Sequence, residues 1–194
     1  CAHSMIEWVY KRAMKSNLDE VVVATDSQEV FDTVKSFGGE VVLTDVNHLN
    51  GTSRIAEVCE KITDYDVIIN IQGDEPLIEP DMINSLISVF KKEEGLKMAT
   101  LKHKLLKKED IENPNYVKVV TDKKDYAIYF SRSVIPYPRN ENLDIYFKHV
   151  GIYGYKREFV LEYAKLKSTP LENSESLEQL RVLENGYKIK VLET

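Results

Sequence analysis

The sequence predicts an α/β fold, in which a mostly parallel β-sheet is flanked by helices and carries a small antiparallel patch. In the first half of the chain, short apolar runs at 21–24, 41–43 and 67–71 alternate with segments of helical spacing. Such runs are typical of strands buried on both faces of a parallel sheet. In the second half, two apolar runs are joined only by the polar turn 122–125, which indicates antiparallel strands attached to the main sheet.

The helices of the first half are predicted from apolar residues that recur every three or four positions. They are expected at 5–13, 30–37, 55–62 and 82–90. Gly38 and Gly39 are expected to end the second helix, because glycine favours the left-handed conformation found there. Pro80 precedes the fourth helix, and proline is accepted in a first helical turn.

The second half is expected to contain more strands than helices. The predicted strands are 116–121, 126–130, 149–155 and 188–192, and the predicted helices are 157–165 and 177–185. Between the two helices, 168–174 is interpreted as a polar loop, and Gly186 is expected to stop the last helix. Because no linker is long enough to separate independent parts, the sequence predicts a single domain over 1–194.

Composition narrows the class of protein. The chain has 194 residues, with 26 basic and 32 acidic side chains and a formal net charge of -6. An acidic chain argues against nucleic-acid binding, which usually requires a basic surface. The two cysteines, Cys1 and Cys59, have no spacing typical of a zinc site and indicate a reducing compartment. No apolar run has the length of a membrane span, so we expect a cytoplasmic protein that contacts no membrane.

In an open α/β sheet, ligands bind beyond the carboxyl ends of the parallel strands. Gln72, Gly73 and Asp74 follow the predicted strand 67–71 directly. Gly73 allows the backbone to turn sharply there, and the Asp74 carboxylate would then project at the edge of the sheet. Oxygen ligands of this kind suit Mg²⁺. A capped turn before the next helix is the alternative interpretation.

The segment 50–54 leads into the helix 55–62. We expect Thr52 or Ser53 to cap that helix, whose free N–H groups would suit an anion or a base carbonyl. Arg54 adds a planar cation with several donors. Helix capping without any ligand is the alternative.

Three further groups carry side chains that could bind a carboxylate or sugar hydroxyls. Arg132 ends a predicted strand between two serines, and arginine pairs with a carboxylate through two hydrogen bonds. His149 and Tyr153 share one strand face by their spacing. Glu178 and Gln179 begin the last helix beside its buried leucine stripe and could bind sugar hydroxyls. The alternative interpretations are a surface salt bridge for Arg132, a structural role for His149, and a solvated helix face for Glu178 and Gln179.

The order of these segments resembles the 3-deoxy-manno-octulosonate cytidylyltransferase family. The resemblance runs from Met5 to the end of the chain. It depends on the segments 21–26, 50–54, 72–77, 113–120, 129–136, 148–155 and 175–186. The Gly-Asp-Glu-Pro part of the third segment is shared with other sugar nucleotidyltransferases, whereas the His149–Tyr153 strand and the Leu-Glu-Gln-Leu-Arg helix are more specific.

The resemblance implies a Rossmann-like nucleotidyltransferase fold, a homodimer, and transfer of CMP from CTP to 3-deoxy-D-manno-octulosonate with release of pyrophosphate, for lipopolysaccharide precursor synthesis. Asp74 would bind Mg²⁺ and, with Arg132, would act in catalysis. The residues that would contact the sugar are Gln72, Arg132, His149, Tyr153, Glu178 and Gln179. The residues that would lie on the nucleotide side are Gly51, Thr52 and Arg54.

The sequence departs from the family pattern at both ends. The family opens with a strand and a basic phosphate-binding loop, and residues 1–4 stand where its Gly-Lys-Pro turn is expected. The family also continues past the last strand into a Gly-Val-Asp segment that supplies a second metal carboxylate. We therefore expect the 194 residues alone to be catalytically inactive or nearly so, and we expect the chain to be part of a longer protein.

Three other functions remain open at this point. A cytidylyltransferase for another acidic sugar, such as a sialic acid, would share most of the motifs. A non-catalytic dimeric relative that binds a sugar would keep Arg132, His149 and Gln179 without the phosphate-binding loop. A metal-dependent glycosyltransferase is less favoured, because no Asp-x-Asp motif follows a predicted sheet strand.

Overall fold

The computed structural model describes residues 4–48, 50–139 and 145–194. The chain divides into two compact units, Cys1–Glu94 with Gly154–Ala164 and Gly95–Tyr153 with Lys165–Thr194. The prediction of a single domain therefore stays a prediction. Of the segment 1–4 that stands at the expected Gly-Lys-Pro turn, residues 1–3, including Cys1, lie outside the described residues.

Helices and strands follow one another along the described residues. The first half contains α1 (Met5–Ala13), β1 (Val22–Thr25), α2 (Gln28–Ser36), β2 (Glu40–Leu43), α3 (Gly51–Lys61), β3 (Val67–Asn70) and α4 (Pro80–Lys92). The second half contains β4 (Met98–Lys104), α5 (Lys108–Glu112), β5 (Lys118–Thr121), β6 (Ala127–Ser131), β7 (Phe147–Lys156), α6 (Arg157–Tyr163), α7 (Pro170–Glu175), α8 (Gln179–Glu184) and β8 (Ile189–Glu193). The predicted α/β class is confirmed, and every predicted helix and strand is present.

In the first unit, β1 and β2 pair in parallel, with Val22 opposite Glu40 and Thr25 opposite Leu43. The helix between them begins where the Ser27 hydroxyl accepts the N–H of Val30 at 3.3 Å. It ends before Gly38, whose φ of 79° confirms the predicted stop. This short crossover places the carboxyl ends of both strands on the same edge of the sheet.

In the second unit, the strands form a mixed sheet in the order β6-β5-β7-β4-β8. β4 and β8 are parallel, whereas β5 is antiparallel to both β6 and β7. The predicted turn between β5 and β6 is confirmed, because the Asp122 carboxylate accepts the N–H groups of Lys124 and Tyr126 at 2.8 and 2.9 Å. The antiparallel patch is therefore part of a sheet that also contains parallel strands.

The strand β4 was not predicted, because Thr100 and Lys102 interrupt its apolar run. Both polar side chains are nevertheless buried. The Lys102 ammonium lies 3.1 Å from the Thr121 hydroxyl and 3.3 Å from the Asp125 carboxylate, so its charge is compensated inside the unit. The short helix α5 was also not predicted.

The prediction of a polar loop over 168–174 is wrong, since α7 occupies most of it. Pro170 starts this helix, and the Glu172 carboxylate accepts the backbone N–H of Thr169 at 3.1 Å, as in one half of a capping box. The segment looks like a loop in sequence because the residue that it buries is Glu172, which pairs with Arg181. The Thr-Pro-x-Glu pattern was the signal that could have found it.

Candidate active site

The loop after β3 carries Gln72 and Asp74, as predicted. Both side chains are exposed, and the loop turns tightly, with the N–H of Glu75 donated to the carbonyl of Gln72 at 3.2 Å. The Gln72 amide donates to the Asn70 side chain at 3.4 Å. Within the described residues, the Asp74 carboxylate has no hydrogen bond and no ion pair, so all of its oxygen lone pairs are available to a ligand.

The helix α3 begins four residues earlier than predicted, and its cap is Asn50, not Thr52 or Ser53. The Asn50 side chain accepts the N–H of Ser53 at 2.9 Å. Thr52 lies inside the first turn and is buried. The capping prediction is wrong because the Asn50 side chain, not that of Thr52 or Ser53, accepts an N–H group of the first turn. Gly51 is therefore the first helical residue.

Gly51 faces the loop that follows β3. A Cβ atom added to Gly51 would lie 3.8 Å from the amide nitrogen of Gln72. The first turn of α3 and the Gln72 loop are therefore neighbours in the first unit, although they are far apart in sequence. This proximity agrees with a predicted site that uses both segments.

Arg54 links the ends of two parallel strands. Its guanidinium donates to the Thr44 hydroxyl at 2.5 Å and to the Asp26 carboxylate at 2.7 Å. Asp26 follows β1 directly, and Thr44 follows β2 directly. The hydrogen bond from Arg54 is the main reason that the pKa of Asp26 lies below its ordinary value. The structure thus assigns Arg54 a role in fixing the strand ends, and its predicted nucleotide contact stays a prediction.

A cavity of about 390 Å³ runs along β1 and β3 within the first unit. Residues from α1 and α3 complete its lining, and the polar lining residues include Arg54, Asn70 and Gln72. The prediction that both strands are buried on both faces is wrong. Val22, Val23, Val67 and Ile68 are only half-buried, because their side chains line this cavity.

His149 and Tyr153 lie on the same face of β7, as predicted. Their ring centroids are 5.4 Å apart, and the Phe130 ring meets the imidazole edge to face at 5.0 Å. His149 is only 7% exposed. Burial, assisted by the charge of Lys148, lowers the pKa of His149 to about 3, so the imidazole is neutral at physiological pH.

Gln179 completes this cluster from α8. The Tyr153 hydroxyl donates to the Gln179 side-chain oxygen at 3.2 Å. Gln179 is 3% exposed, so the alternative of a solvated helix face is wrong for this residue, whereas Glu178 is half-buried at the helix start. The amide nitrogen of Gln179 is buried and has no hydrogen-bond partner among the described residues. A buried donor of this kind costs free energy unless a ligand accepts from it.

Arg132 is held by α7 and by the segment that precedes β5. Its Nε donates to the backbone carbonyl of Glu175 at 2.8 Å, and its Nη1 lies 3.3 Å from the carbonyl of Pro114. Among the described residues, no carboxylate pairs with its guanidinium, so the structure shows no surface salt bridge there. The two neutral carbonyls orient the group and leave its positive charge for a ligand.

Two residues that sequence reasoning missed hold the backbone at Arg132. The Glu175 carboxylate accepts the Ser131 hydroxyl at 2.6 Å and the N–H of Arg132 at 2.9 Å. The fully buried Lys118 donates to the carbonyl of Arg132 at 2.6 Å, and burial lowers the pKa of its ammonium group. A lysine within an otherwise mostly apolar predicted strand was the sequence signal of this arrangement.

A metal site built by this chain would depend on Asp74. In the part of the chain that the structure describes, no three His, Cys, Asp or Glu side chains come together to hold a metal ion. Mg²⁺ commonly binds one or two carboxylates and completes its octahedron with phosphate oxygens and water. A single unpaired carboxylate at the carboxyl end of β3 fits this requirement.

The comparisons with known proteins identify the family. The family model described as cytidylyltransferase matches residues 2–189. The chain belongs to the cytidylyltransferase family. It is 72% identical, over 99% of its length and 78% of the relative, to the 3-deoxy-manno-octulosonate cytidylyltransferase of Fusobacterium nucleatum. It is 48% identical, over 98% of its length and 79% of the relative, to the enzyme of the same name from Geotalea daltonii.

A solved structure supports the same family and fold. The structure of CMP:2-keto-3-deoxy-manno-octonic acid synthetase complexed with CTP matches 98% of this chain and 78% of that chain, with a TM-score of 0.93 and 43% identity. The predicted nucleotidyltransferase fold and family membership are confirmed. Within residues 4–48, 50–139 and 145–194, no helix combines the length and the apolar character needed to cross a membrane.

Proposed function

We propose that this protein transfers CMP from CTP to 3-deoxy-D-manno-octulosonate and releases pyrophosphate, and that the product serves lipopolysaccharide precursor synthesis. The observation that carries this proposal is the 72% identity, along 99% of the chain, to a relative named for that activity. The reaction forms a bond between the anomeric oxygen of the sugar and the α-phosphorus of CTP. It breaks the bond between that phosphorus and the oxygen that leaves with pyrophosphate, and the hydroxyl proton passes to solvent.

On the sugar side, the second unit offers a cation, a neutral imidazole and amide groups. Arg132 would bind the sugar carboxylate, since its guanidinium is oriented but not neutralised. The unpartnered Gln179 amide nitrogen would donate to a sugar hydroxyl. His149 and Tyr153 would contact other hydroxyls beside it, and we assign Glu178 and Gln72 to the same substrate on the family resemblance.

On the nucleotide side, the first unit offers the start of α3. The N–H groups of its first turn point toward the residues before Gly51, where the positive end of the helix dipole suits a base carbonyl or a phosphate. Arg54 fixes the neighbouring strand ends through Asp26 and Thr44. We assign Gly51, Thr52 and Arg54 to CTP because this edge of the sheet is where ligands bind in open α/β folds.

We further propose that Asp74 binds Mg²⁺, that the protein is a homodimer and that it acts in the cytoplasm. Bound Mg²⁺ would neutralise the charge that develops on the phosphate oxygens. Asp74 would hold the Mg²⁺ ion at the carboxyl end of β3. Light scattering tests the dimer, because a monomer of these residues has a mass of 22.4 kDa.

Pyrophosphate release tests the activity. The assay uses a chimera in which these residues replace the matching part of the Fusobacterium nucleatum relative. Turnover by the chimera with 3-deoxy-D-manno-octulosonate, and not with a sialic acid, supports the proposal. A chimera that prefers the sialic acid, or is inactive beside an active relative, overturns it.

Substitution of Asp74 tests its role at the metal. In the chimera, Asp74→Asn should lower kcat by roughly 100-fold, since it removes a charge that would hold the metal at the reacting phosphate. Glu75→Gln is the matched control, because Glu75 is the next exposed carboxylate in the same loop. Equal effects of the two substitutions would refute the assignment of Asp74.

A further inference from the structure

Thr100 lies at the centre of a polar contact that the proposed reaction does not explain. It is fully buried on β4, with 0% exposure. Its hydroxyl oxygen lies 2.9 Å from His149 Nε2, 2.8 Å from the carbonyl oxygen of Ile152 and 3.2 Å from that of Val150. All three neighbours belong to β7.

The Thr100 hydroxyl has one proton, so it can donate only one of these hydrogen bonds. Carbonyl oxygens only accept hydrogen bonds. Two oxygen atoms 2.8 Å apart repel each other unless a proton lies between them, so the Thr100 proton is donated to Ile152. The Thr100 oxygen is then an acceptor toward His149, and Nε2 must carry the hydrogen.

We propose that Thr100 is a positioning residue that holds His149 as the neutral Nε2–H tautomer and thereby keeps Nδ1 as a hydrogen-bond acceptor for a hydroxyl of the bound sugar acid. The identity of that ligand rests on the proposed function. Nδ1 has no hydrogen-bond partner among the described residues. A doubly protonated imidazole would present a donor at Nδ1, and burial disfavours that state.

The proposed acceptor, Nδ1 of His149, complements the donor on α8, which is the amide nitrogen of Gln179. The imidazole lies 5.4 Å from the Tyr153 ring, and the Tyr153 hydroxyl contacts Gln179, whose amide nitrogen needs an acceptor. A sugar hydroxyl both donates and accepts hydrogen bonds. A face that offers one fixed acceptor and one fixed donor can therefore select the orientation of neighbouring hydroxyls.

The ¹⁵N chemical shifts of the His149 ring test the tautomer without reference to activity. The wild-type chain should show a protonated Nε2 and an unprotonated Nδ1 at neutral pH. Thr100→Val keeps the side-chain shape but removes the acceptor, so it should shift His149 toward the Nδ1–H tautomer. Thr100→Ser keeps the hydroxyl and should preserve the wild-type tautomer, which provides a result even if the valine variant fails to fold.

The pyrophosphate assay on the chimera tests the link to the sugar. Thr100→Val should raise the KM for the sugar acid by about 10-fold and leave the KM for CTP unchanged, which corresponds to the loss of about one hydrogen bond. Thr100→Ser should restore it. Thr121→Val is the matched control, since Thr121 lies on β5 and contacts Lys102 instead.

Each result supports or overturns one part of the proposal. An Nδ1–H tautomer in the wild type, or an unchanged tautomer in Thr100→Val, overturns the role of Thr100. A changed tautomer with an unchanged KM overturns the contact of Nδ1 with the sugar. If the wild-type chimera does not use the sugar acid but His149 has a protonated Nε2, the proposed function fails while the tautomer assignment is supported.

Discussion

The buried His149 makes a sharp prediction about stability and pH. Its pKa falls from 6.5 to about 3 on folding, mainly because burial disfavours the imidazolium. Between these two values, the unfolded chain binds a proton that the folded chain does not. The free energy of unfolding must therefore decrease as the pH falls through 6.5 toward 3.

The expected loss follows from proton linkage. For a single histidine with these two pKa values, lowering the pH from 7 to 5.5 removes about 1.2 kcal/mol of unfolding free energy. Several carboxyl groups also have lowered pKa values in the folded chain, including Glu57 at about 2. The contribution of Glu57 is present above its ordinary value of 4.5 and is lost only below it, so it adds little to the change between pH 7 and 5.5.

Urea unfolding followed by circular dichroism at both pH values measures this loss. The wild-type chain should lose about 1.2 kcal/mol over the interval, and His149→Gln should remove most of that pH dependence whatever its effect on absolute stability. His103→Gln is the matched control, because His103 lies exposed on β4 of the same unit. An unchanged pH dependence in His149→Gln would refute the conclusion that the imidazole is neutral in the folded chain.

Three further perturbations test the architecture around the site. Glu175→Gln should raise the KM for the sugar acid by about 10-fold in the chimera, with the KM for CTP unchanged, because it loses one of the acceptors that hold the Arg132 backbone. Arg181→Leu should lower the unfolding free energy by about 3–5 kcal/mol, and adding Glu172→Leu should recover part of it, because the single change leaves a buried carboxylate unpaired. Gly186→Ala should lower the unfolding free energy measured in urea by about 1 kcal/mol. The φ of 79° is unfavourable for alanine, and the open space around the position means that no clash adds to this cost.

Most of the fold was predictable because it depends on local patterns. Apolar runs and helical spacing located most of the strands and helices. The elements that were missed take their burial from distant partners. Thr100 and Lys102 make β4 look polar, and Lys102 is compensated by Asp125, 23 residues away. A residue-by-residue pattern cannot show that such a charge is paired.

The residues of the candidate site also form two groups, one that could be named from the sequence and one that could not. Residues that would touch the ligand stand in recognisable motifs, so Asp74, Arg132 and His149 could be named from the sequence. The residues that orient them are ordinary side chains in unremarkable positions. Thr100 reaches His149 across 49 residues, and Glu175 reaches Arg132 across 43. Only the fold brings these pairs together.

This division has a chemical reason. A ligand-binding side chain needs a particular functional group, which limits the residue type and makes a motif. A positioning residue needs only one donor or acceptor at the correct place, which many residue types supply. The Thr100 hydroxyl donates its hydrogen bond to the Ile152 carbonyl, and that carbonyl belongs to the backbone. Because backbone groups carry no sequence signal, the protonation of His149 is a property of the strand pairing between β4 and β7.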